Sequence, residues 1–289
     1  NYTGPKIAYN VWESTLQPQQ YFDKLLEFDE LWVPSKWQKE CTIKQGYPED
    51  KIKVVPEGVD IHTFFPDEVE HELTLDGRFK FFLAGRWDYR KSVKEIIETF
   101  LKTFSEEDPV DLIISVDNPF SNDGLNSTEE RLEYYGLQDE RIKILHFPSR
   151  EDYIKLLKST NCFVSCARSE GWNLPLIESM ACGTPSIYSN CSGQLEFAQD
   201  KGIPVNIIGE KPVNAGTQNH FNESVGNYYE PDFNDLRIKM LEVVNNYQFY
   251  KKKALNESNI IRNNFSWERV SEIANETINN FLKKKRELN

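Results

Sequence analysis

The sequence SEGWNLPLIESMACGTP, residues 169–185, joins two β-rich runs and indicates the fold class of the chain. Within it, Gly171 allows a tight turn, and Asn173 is a residue type that caps helices. Pro175 suits a first helical turn, and Gly183 suits a left-handed helix stop. The stretch therefore predicts a strand, a loop, a short helix and a second strand, which is the repeating unit of an α/β fold.

Outward from this unit, the same alternation of β-rich runs and helical patterns extends over most of the chain. The predicted strands are 80–85, 110–116, 141–145, 162–167, 185–189 and 203–208. The predicted helices between them are 92–104, 128–135, 149–158, 174–182 and 193–201. Six strands and five crossovers make one complete doubly wound, Rossmann-like domain, with helices on both faces of a parallel sheet.

The first 66 residues repeat this alternation on a smaller scale. The predicted strands are 6–12, 30–34 and 52–56, and the predicted helices are 18–28 and 37–45. Three parallel strands make a small sheet, because both faces and both edges need cover. Residues 1–66 therefore either dock on the larger domain as an appendage or form the latter part of a domain whose beginning is absent. A linker is predicted over 67–79.

The remainder of the chain is predicted to contain one irregular segment and two helical stretches. Several Gly and Pro residues in 209–231 indicate a long irregular insertion. The helical patterns that follow cover 232–263 and 267–288.

Composition and charge exclude several classes of protein. The 289 residues allow about two domains, and 34 basic against 46 acidic residues give a net charge of −12, which disfavours nucleic-acid binding. No apolar run is long enough to cross a membrane, so no transmembrane segment is predicted. The spacing of the four His and five Cys residues indicates no metal site. Five buried thiols are expected, and with them a reducing, cytoplasmic location.

Two carboxylates of the 169–185 stretch suit the recognition of hydroxyl groups. Glu170 lies in the predicted loop, and Glu178 lies about one turn into the helix, whose free N–H groups can hold a phosphate. Ionised carboxylates accept hydrogen bonds from hydroxyls, which a sugar or a ribose offers in pairs. An acidic loop, with an early helical Glu that merely complements the helix dipole, is the alternative on chemistry alone.

A second stretch, FLAGRWDYRKS at residues 82–92, follows the first strand of the large domain and opens a helix. Arg86 and Lys91 place two cations there. Fixed cations at such a position can hold a phosphate group and stabilise negative charge that accumulates on it in a transition state. Taken alone, two basic residues at a helix start are also typical of a solvated surface.

Together these stretches resemble the signatures of retaining family 4 glycosyltransferases of the GT-B fold. The usual form of the first is EGFGLPxxEAxAxGxP, from which this chain differs chiefly at Asn173 and Ser179. By that resemblance, Glu170 contacts the donor sugar near the reacting carbon, and Glu178 binds the ribose hydroxyls. Arg86 and Lys91 match the family's GRxxxxKG form and hold the diphosphate, with Ser92 in place of the last Gly.

The resemblance implies further contacts with the donor. The neighbouring positions of both motifs complete the donor site, namely Gly85, Gly171, Trp172, Asn173 and Leu174. His146 and Phe147 follow the third strand of the large domain, where the family cradles the base. No metal and no cofactor is implied, because the nucleoside-diphosphate sugar is itself the donor substrate.

The resemblance also implies a domain organisation. Residues 1–66 are the latter part of the acceptor-side N-terminal domain, 67–79 are the linker and 80–263 are the donor-binding domain. Residues 264–289 form a helix that crosses back to the N-terminal block. The chain lacks the family's first strand and glycine-rich loop, so a fragment, a processed product or a trimmed natural variant is expected.

The leading hypothesis is a metal-independent glycosyltransferase that transfers a sugar from a UDP- or GDP-sugar, in preference to an ADP-sugar, with retention at the anomeric carbon. The acceptor is a glycan, a lipid or a protein. The alternative is a non-catalytic nucleotide-sugar-binding module or an inactive fragment. A phosphorylase-like enzyme with pyridoxal cofactor is disfavoured in so short a chain. Lys283–Arg286 could bind anionic lipid as a peripheral contact, although cations are common at helix C-termini.

Overall fold

A computed structural model of the chain describes residues 4–121, 124–213 and 223–287. Its first part is a three-stranded parallel sheet in the order β1-β2-β3, flanked by two helices. The strands are β1 (Ile7–Tyr9), β2 (Glu30–Val33) and β3 (Ile52–Val54), and the helices are α1 (Gln19–Leu26) and α2 (Lys36–Lys44). Leu31, Val33 and Ile52 are buried between the sheet and its helices, which gives this N-terminal block a small core of its own.

A six-stranded parallel sheet forms the larger part, and the predicted doubly wound α/β fold is confirmed. Its strands are β4 (Phe79–Ala84), β5 (Val110–Ser115), β6 (Ile142–Ile144), β7 (Cys162–Ser165), β8 (Ser186–Ser189) and β9 (Ile203–Val205). The crossover helices are α3 (Val93–Thr103), α4 (Thr128–Tyr134), α5 (Arg150–Ser159), α6 (Leu174–Ala181) and α7 (Leu195–Ala198). The order β6-β5-β4-β7-β8-β9 reverses direction between β4 and β7.

The segment predicted to be irregular, 209–231, contains most of an antiparallel hairpin instead. Its strands are β10 (Ile207–Pro212) and β11 (Asn227–Pro231), and the residues 214–222 between them lie outside the described part. Pro212 and Pro231 each end a strand, where a missing backbone N–H removes little of the hydrogen-bond ladder. The hairpin therefore forms despite a composition typical of loops.

The helical stretch predicted over 232–263 is two helices rather than one. They are α8 (Phe233–Asn245) and α9 (Tyr247–Phe265), and Asn246 between them leaves the helical conformation with ψ 35°. Helix α7 is also shorter than the predicted 193–201, because Gln199 turns to an extended conformation after Ala198. The last helix, α10 (Trp267–Glu287), follows directly after Ser266.

Two hydrophobic cores cover the two faces of the large sheet. Successive residues of β4 point to opposite faces, so Phe81 packs in one core with α3 and α8, and Phe82 packs in the other with α6 and α7. A strand buried on both faces reads as a continuous apolar run, as residues 81–84 of β4 and 112–114 of β5 do. This double cover makes the sheet a rigid support for the loops at its edge.

Helix α10 contacts the N-terminal block at both of its ends. Directly before its start, Ser266 forms an isolated β-bridge with Val59, and Val59 N donates a hydrogen bond to Phe265 O at 2.8 Å. At its end, Lys285 forms an ion pair with Asp29 of the N-terminal block. The chain thus returns to its first part.

All five cysteines are free thiols, and four of them are buried. The expectation of five buried thiols is wrong for Cys41, which lies half-exposed on α2. Burial raises the pKa of Cys41 to about 11. None of the helices in the described part of the chain combines the length and apolar character that crossing a bilayer requires.

Candidate functional site

The candidate site lies at the carboxyl edge of the large sheet, where the strand order reverses. Strands β4 and β7 pair in parallel there, so the loops that follow them, 85–92 and 166–173, leave the same edge side by side. Ligands of doubly wound folds bind at such a reversal point. The parallel topology itself therefore brings together the two motifs that are far apart in sequence.

Glu170 is the centre of this arrangement and is almost fully buried. Its Oε1 lies 2.5 Å from Lys91 Nζ, and its Oε2 lies 2.8 Å from Arg90 Nη1. Burial alone would raise the pKa of Glu170, but the charges of Arg90 and Lys91 outweigh that effect and lower it. Glu170 is therefore held ionised beneath two cations.

A buried arginine holds the two loops together. Arg168 Nη1 donates to Tyr89 O at 2.6 Å and to Ser92 Oγ at 2.9 Å, and its guanidinium lies 3.8 Å from the centroid of the Tyr89 ring. A guanidinium can donate to several groups in one plane while it stacks on a ring. The loop that carries Lys91 is thus fixed against the loop that carries Glu170.

The two positions where this chain replaces a glycine of the family pattern both have left-handed backbone. Ser92 has φ 55° and Asn173 has φ 85°. Glycine adopts this region without strain, and Asn adopts it more readily than most residues. Asn173 occupies the N-cap position of α6, but its side chain does not cap the helix as predicted. It donates instead to Ser165 Oγ and Gln194 Oε1, because the left-handed backbone turns it toward β7 and α7.

Two glycines around Glu170 lie so close to neighbouring atoms that a larger side chain would not fit. A Cβ on Gly193 would lie 1.9 Å from Gly171 O, and a Cβ on Gly171 would lie 2.4 Å from Val11 Cγ1. Gly193 N also donates to Glu170 O at 2.9 Å. The loop after β8 and the segment after β1 therefore both lie against the Glu170 loop.

Glu178 occupies a different environment on the first turns of α6. Its Oε2 accepts a hydrogen bond of 2.6 Å from the hydroxyl of Tyr153 on α5. Burial raises the pKa of Glu178, and the Tyr153 hydrogen bond opposes that rise. The hydrogen bond fixes one carboxylate oxygen and leaves lone pairs on the other for a ligand hydroxyl.

The remaining residues predicted for the donor differ in exposure. Arg86 is half-exposed, and its guanidinium lies 3.7 Å from Asp88, whose Oδ1 also accepts from Lys91 N. Leu174 is exposed at the start of α6, and Gly85, with φ 148°, lies under the Lys91 side chain. The side chain of Trp172 points away from the loop.

That Trp172 side chain is buried in the core beneath α6. Its ring centroid lies 5.0 Å from that of Phe197 and 5.8 Å from that of Phe265. Only 2% of the residue is exposed. A ligand contact by Trp172 is therefore restricted to its backbone.

His146 and Phe147 lie at the same edge, after β6, two strands from β4. His146 Nδ1 lies 2.9 Å from Asp117 Oδ1, and its Nε2 lies 2.6 Å from Glu129 Oε1. Hydrogen bonds to Asp117 and then Glu129 raise the pKa of His146. Phe147 is exposed with φ 37° and donates its N–H to Asp117 at 3.3 Å.

Three residues of the site were not predicted from the sequence. Arg90 directly precedes Lys91 in the sequence, but only Lys91 of the two matches the family motif. Glu13, whose Oε2 lies 3.1 Å from Arg90 Nε, and Tyr153 lie outside both motifs, and no local pattern marks them. Among residues 4–121, 124–213 and 223–287, no group of three His, Cys, Asp or Glu side chains is placed to hold a metal ion.

Comparison with known proteins gives a family match. The family described as Glycosyl transferases group 1 matches residues 65–214, about half of the chain. Alpha-monoglucosyldiacylglycerol synthase of Streptococcus pneumoniae is 28% identical over 144 residues, which are 47% of this chain and 32% of the synthase. A GDP-mannose:cellobiosyl-diphosphopolyprenol alpha-mannosyltransferase of Xanthomonas oryzae is 24% identical over 201 residues, 69% of this chain and 50% of that enzyme. The chain thus spans half or less of the length of these curated relatives.

Solved structures share the fold over nearly the whole chain. HepE of Anabaena, solved in complex with UDP-glucose, superposes with a TM-score of 0.76 over 96% of this chain and 72% of HepE, at 15% identity. Sucrose-phosphate synthase from Thermosynechococcus elongatus gives a TM-score of 0.69 over 92% of this chain and 61% of that enzyme, at 19% identity. The expected GT-B type of fold is therefore confirmed.

Proposed function

The chain belongs to the Glycosyl transferases group 1 family, and on that premise we propose that it transfers a sugar from a nucleoside-diphosphate sugar to a hydroxyl of an acceptor. One observation carries the proposal. Lys91 Nζ and Glu170 Oε1 lie 2.5 Å apart at the reversal point of the sheet. A sugar–phosphate bond has a phosphate on one side and a sugar on the other. Lys91 is suited to contact the phosphate, and the adjacent Glu170 is suited to contact the sugar.

Arg86 and Lys91 hold the diphosphate in this proposal. The half-exposed Arg86 reaches solvent at the mouth of the site, and Lys91 extends from the start of α3 over Gly85. When the sugar–phosphate bond breaks, negative charge grows on the β-phosphate, and these cations stabilise it. We propose that they do so without a divalent ion.

Glu170 acts on the sugar and Glu178 on the ribose. Glu170 is held ionised, so it orients sugar hydroxyls and favours the positive charge that develops at the anomeric carbon. Transfer with retention of the anomeric configuration is proposed from the family resemblance. Glu178, with one oxygen fixed by Tyr153, accepts from a ribose hydroxyl equally in the ground and transition states.

The donor is proposed to be a UDP- or GDP-sugar, whose base lies against the backbone at His146 and Phe147. HepE was solved with UDP-glucose, which favours a UDP-sugar. The acceptor hydroxyl, on a glycan, a lipid or a protein, approaches from the N-terminal block. We also propose that residues 283–286 contact anionic lipid peripherally and that the protein is located in the cytoplasm.

The test compares two isosteric variants with a matched control. Thermal shifts with UDP, GDP and ADP first identify the base, because a ligand that binds only the folded protein stabilises it. Donor turnover in the protein of full natural length is then measured for Glu170→Gln and Glu178→Gln, with Glu68→Gln, an exposed residue, as control.

Glu170→Gln is expected to lower kcat by about 10–100-fold without weakening nucleotide affinity, whereas Glu178→Gln mainly weakens that affinity. The NMR coupling of the product's anomeric proton reports retention, and EDTA is expected to change neither binding nor turnover. Equal effects of both variants on affinity, or inversion in the product, would contradict the assignments. Binding without any turnover would favour a nucleotide-sugar-binding module.

A further inference from the structure

Arg90 is more deeply buried than the two cations assigned to the diphosphate, and all its contacts lie inside the protein. Its Nη1 lies 2.8 Å from Glu170 Oε2 and donates to Ser169 O at 2.9 Å. Its Nε lies 3.1 Å from Glu13 of the N-terminal block. With 4% of its side chain exposed, Arg90 is fixed in place and does not reach a ligand.

Lys91 differs from Arg90 although both are paired with Glu170. Its side chain is more exposed, ends in a single ammonium group and lies over Gly85. An ammonium on a flexible stem can exchange one partner for another by rotation, whereas a guanidinium with several partners is held. When a diphosphate binds, Lys91 is therefore the cation that can leave Glu170.

The departure of Lys91 would leave Glu170 buried with one partner fewer and with phosphate charge nearby. An uncompensated buried carboxylate takes up a proton rather than stay charged. A protonated Glu170 could not support positive charge at the anomeric carbon. Some cation must therefore stay with Glu170 while the donor is bound.

We propose that Arg90 is a positioning residue that keeps Glu170 ionised and oriented when the diphosphate draws Lys91 away, an inference that rests on the proposed function. Glu13 completes the arrangement, because it holds the far side of the same guanidinium from the N-terminal block. Sequence resemblance assigns no role to Arg90 or Glu13.

The groups that face Glu170 and Arg90 come from several elements. They are Lys91 and Asp88 of the loop after β4, Glu13 of the N-terminal block, Tyr228 of β11 and Cys191 after β8. Burial raises the pKa of Tyr228 and Cys191, so both stay uncharged near neutral pH. His146 and Glu178 on the nucleotide side also have raised pKa values, so the uptake that reports on Glu170 is the part that Glu170→Gln abolishes.

The experiment measures the protons taken up when a donor binds. UDP-glucose, GDP-mannose and ADP-glucose are tried in turn, because none of them carries a phosphate that titrates near neutral pH. Calorimetry in buffers of different ionisation enthalpy at about pH 7.5 gives the number of protons bound per donor. The variants are Arg90→Gln, Arg90→Lys, Glu170→Gln and Arg90→Gln combined with Glu170→Gln, and exposed Arg237→Gln is the matched control.

The wild type and the control are expected to bind a donor without proton uptake. Arg90→Gln is expected to take up as much as about one proton per donor and to lose at least tenfold in kcat. Arg90→Lys should restore a proton uptake near zero. The double variant should also take up no proton, which would assign the proton to Glu170. A merely structural role for Arg90 would change stability without moving the proton count.

Uptake of about one proton by the wild type that Glu170→Gln does not show would overturn the proposal, and this comparison can be made even if Arg90→Gln does not fold. Donor binding by folded Arg90→Gln without added uptake would overturn it as well. If the wild type binds none of the three donors, the proposed function itself is wrong and this inference falls with it. That outcome is distinct, because protons are counted only when a donor binds.

Discussion

The hydrogen bond between Tyr153 and Glu178 predicts a pH-dependent loss of stability on Tyr153→Phe. The variant keeps the ring and removes only the hydroxyl, which donates to Glu178 Oε2 at 2.6 Å. A hydrogen bond to a charged group contributes about 1.5–3 kcal/mol to the free energy of unfolding. Both side chains are partly exposed here, so we expect about 1.5 kcal/mol. In a chain of this size that amounts to a fall in Tm on the order of 2–4 °C.

The sign of the pH dependence follows from the Tyr153 hydrogen bond, which lowers the pKa of Glu178 against the larger rise that burial causes. The Tyr153 hydroxyl stabilises the ionised carboxylate, so its contribution is fully present above the folded-state pKa of Glu178. As the pH falls through that pKa, Glu178 takes up a proton and the contribution is lost. The difference in Tm between wild type and variant is therefore expected to be largest near pH 7.5 and to narrow toward about pH 4.

The same variant tests the orientation of Glu178 toward a ribose. Without its partner the carboxylate can rotate, and the affinity for the nucleoside diphosphate is expected to fall by about fivefold, equivalent to about 1 kcal/mol. Affinity for an analogue that lacks the ribose hydroxyls should not change. Equal Tm values at pH 7.5, or a difference that grows as the pH falls, would refute the reasoning; Tyr134→Phe, an exposed tyrosine, is the control.

Three further predictions concern the site's backbone and its histidine. Asn173→Ala is expected to unfold with a free energy about 1 kcal/mol lower than Asn173→Gly, because only the alanine is strained at φ 85°; urea unfolding of both variants measures it. Gly193→Ala should cost about 1–3 kcal/mol and reduce donor turnover, while Gly209→Ala, whose Cβ meets nothing within 4 Å, should change neither. His146, whose pKa is raised chiefly by its hydrogen bond to Asp117, contributes stability fully below its unfolded pKa of about 6.5 and loses it as pH rises through the folded pKa. His146→Gln should therefore lower Tm at about pH 6 and have little effect at about pH 9.

The fold could be predicted because its strands and helices carry local signals. Strands buried on both faces are continuous apolar runs such as 81–84 and 112–114, and the crossover helices between them are amphipathic. The alternation of the two then leaves a parallel, doubly wound sheet as the consistent topology. The hairpin of β10 and β11 escaped prediction, because its ladder is formed by backbone groups of a segment rich in residues typical of turns.

The candidate site was predictable only where its residues share a motif. The adjacency of Glu170 and Lys91 follows from the strand order, since both lie on loops that leave one edge of the sheet. The roles of Arg90 and Glu13 depend on how the N-terminal block packs against that edge, which is a tertiary contact with no local pattern. Trp172 shows the opposite case: it lies within the motif, yet its side chain serves the core.

The side-by-side passage of the chain at Val59 and Ser266 also determines how the two sheets can move apart. Both connections between them cross at this one place, where a Cβ on Gly58 would lie 2.7 Å from the Trp267 side chain. The Glu13–Arg90 ion pair joins the N-terminal block to the large sheet a second time, on the side of the site. Any movement that separated the two sheets would therefore break this ion pair and free one side of the guanidinium that holds Glu170.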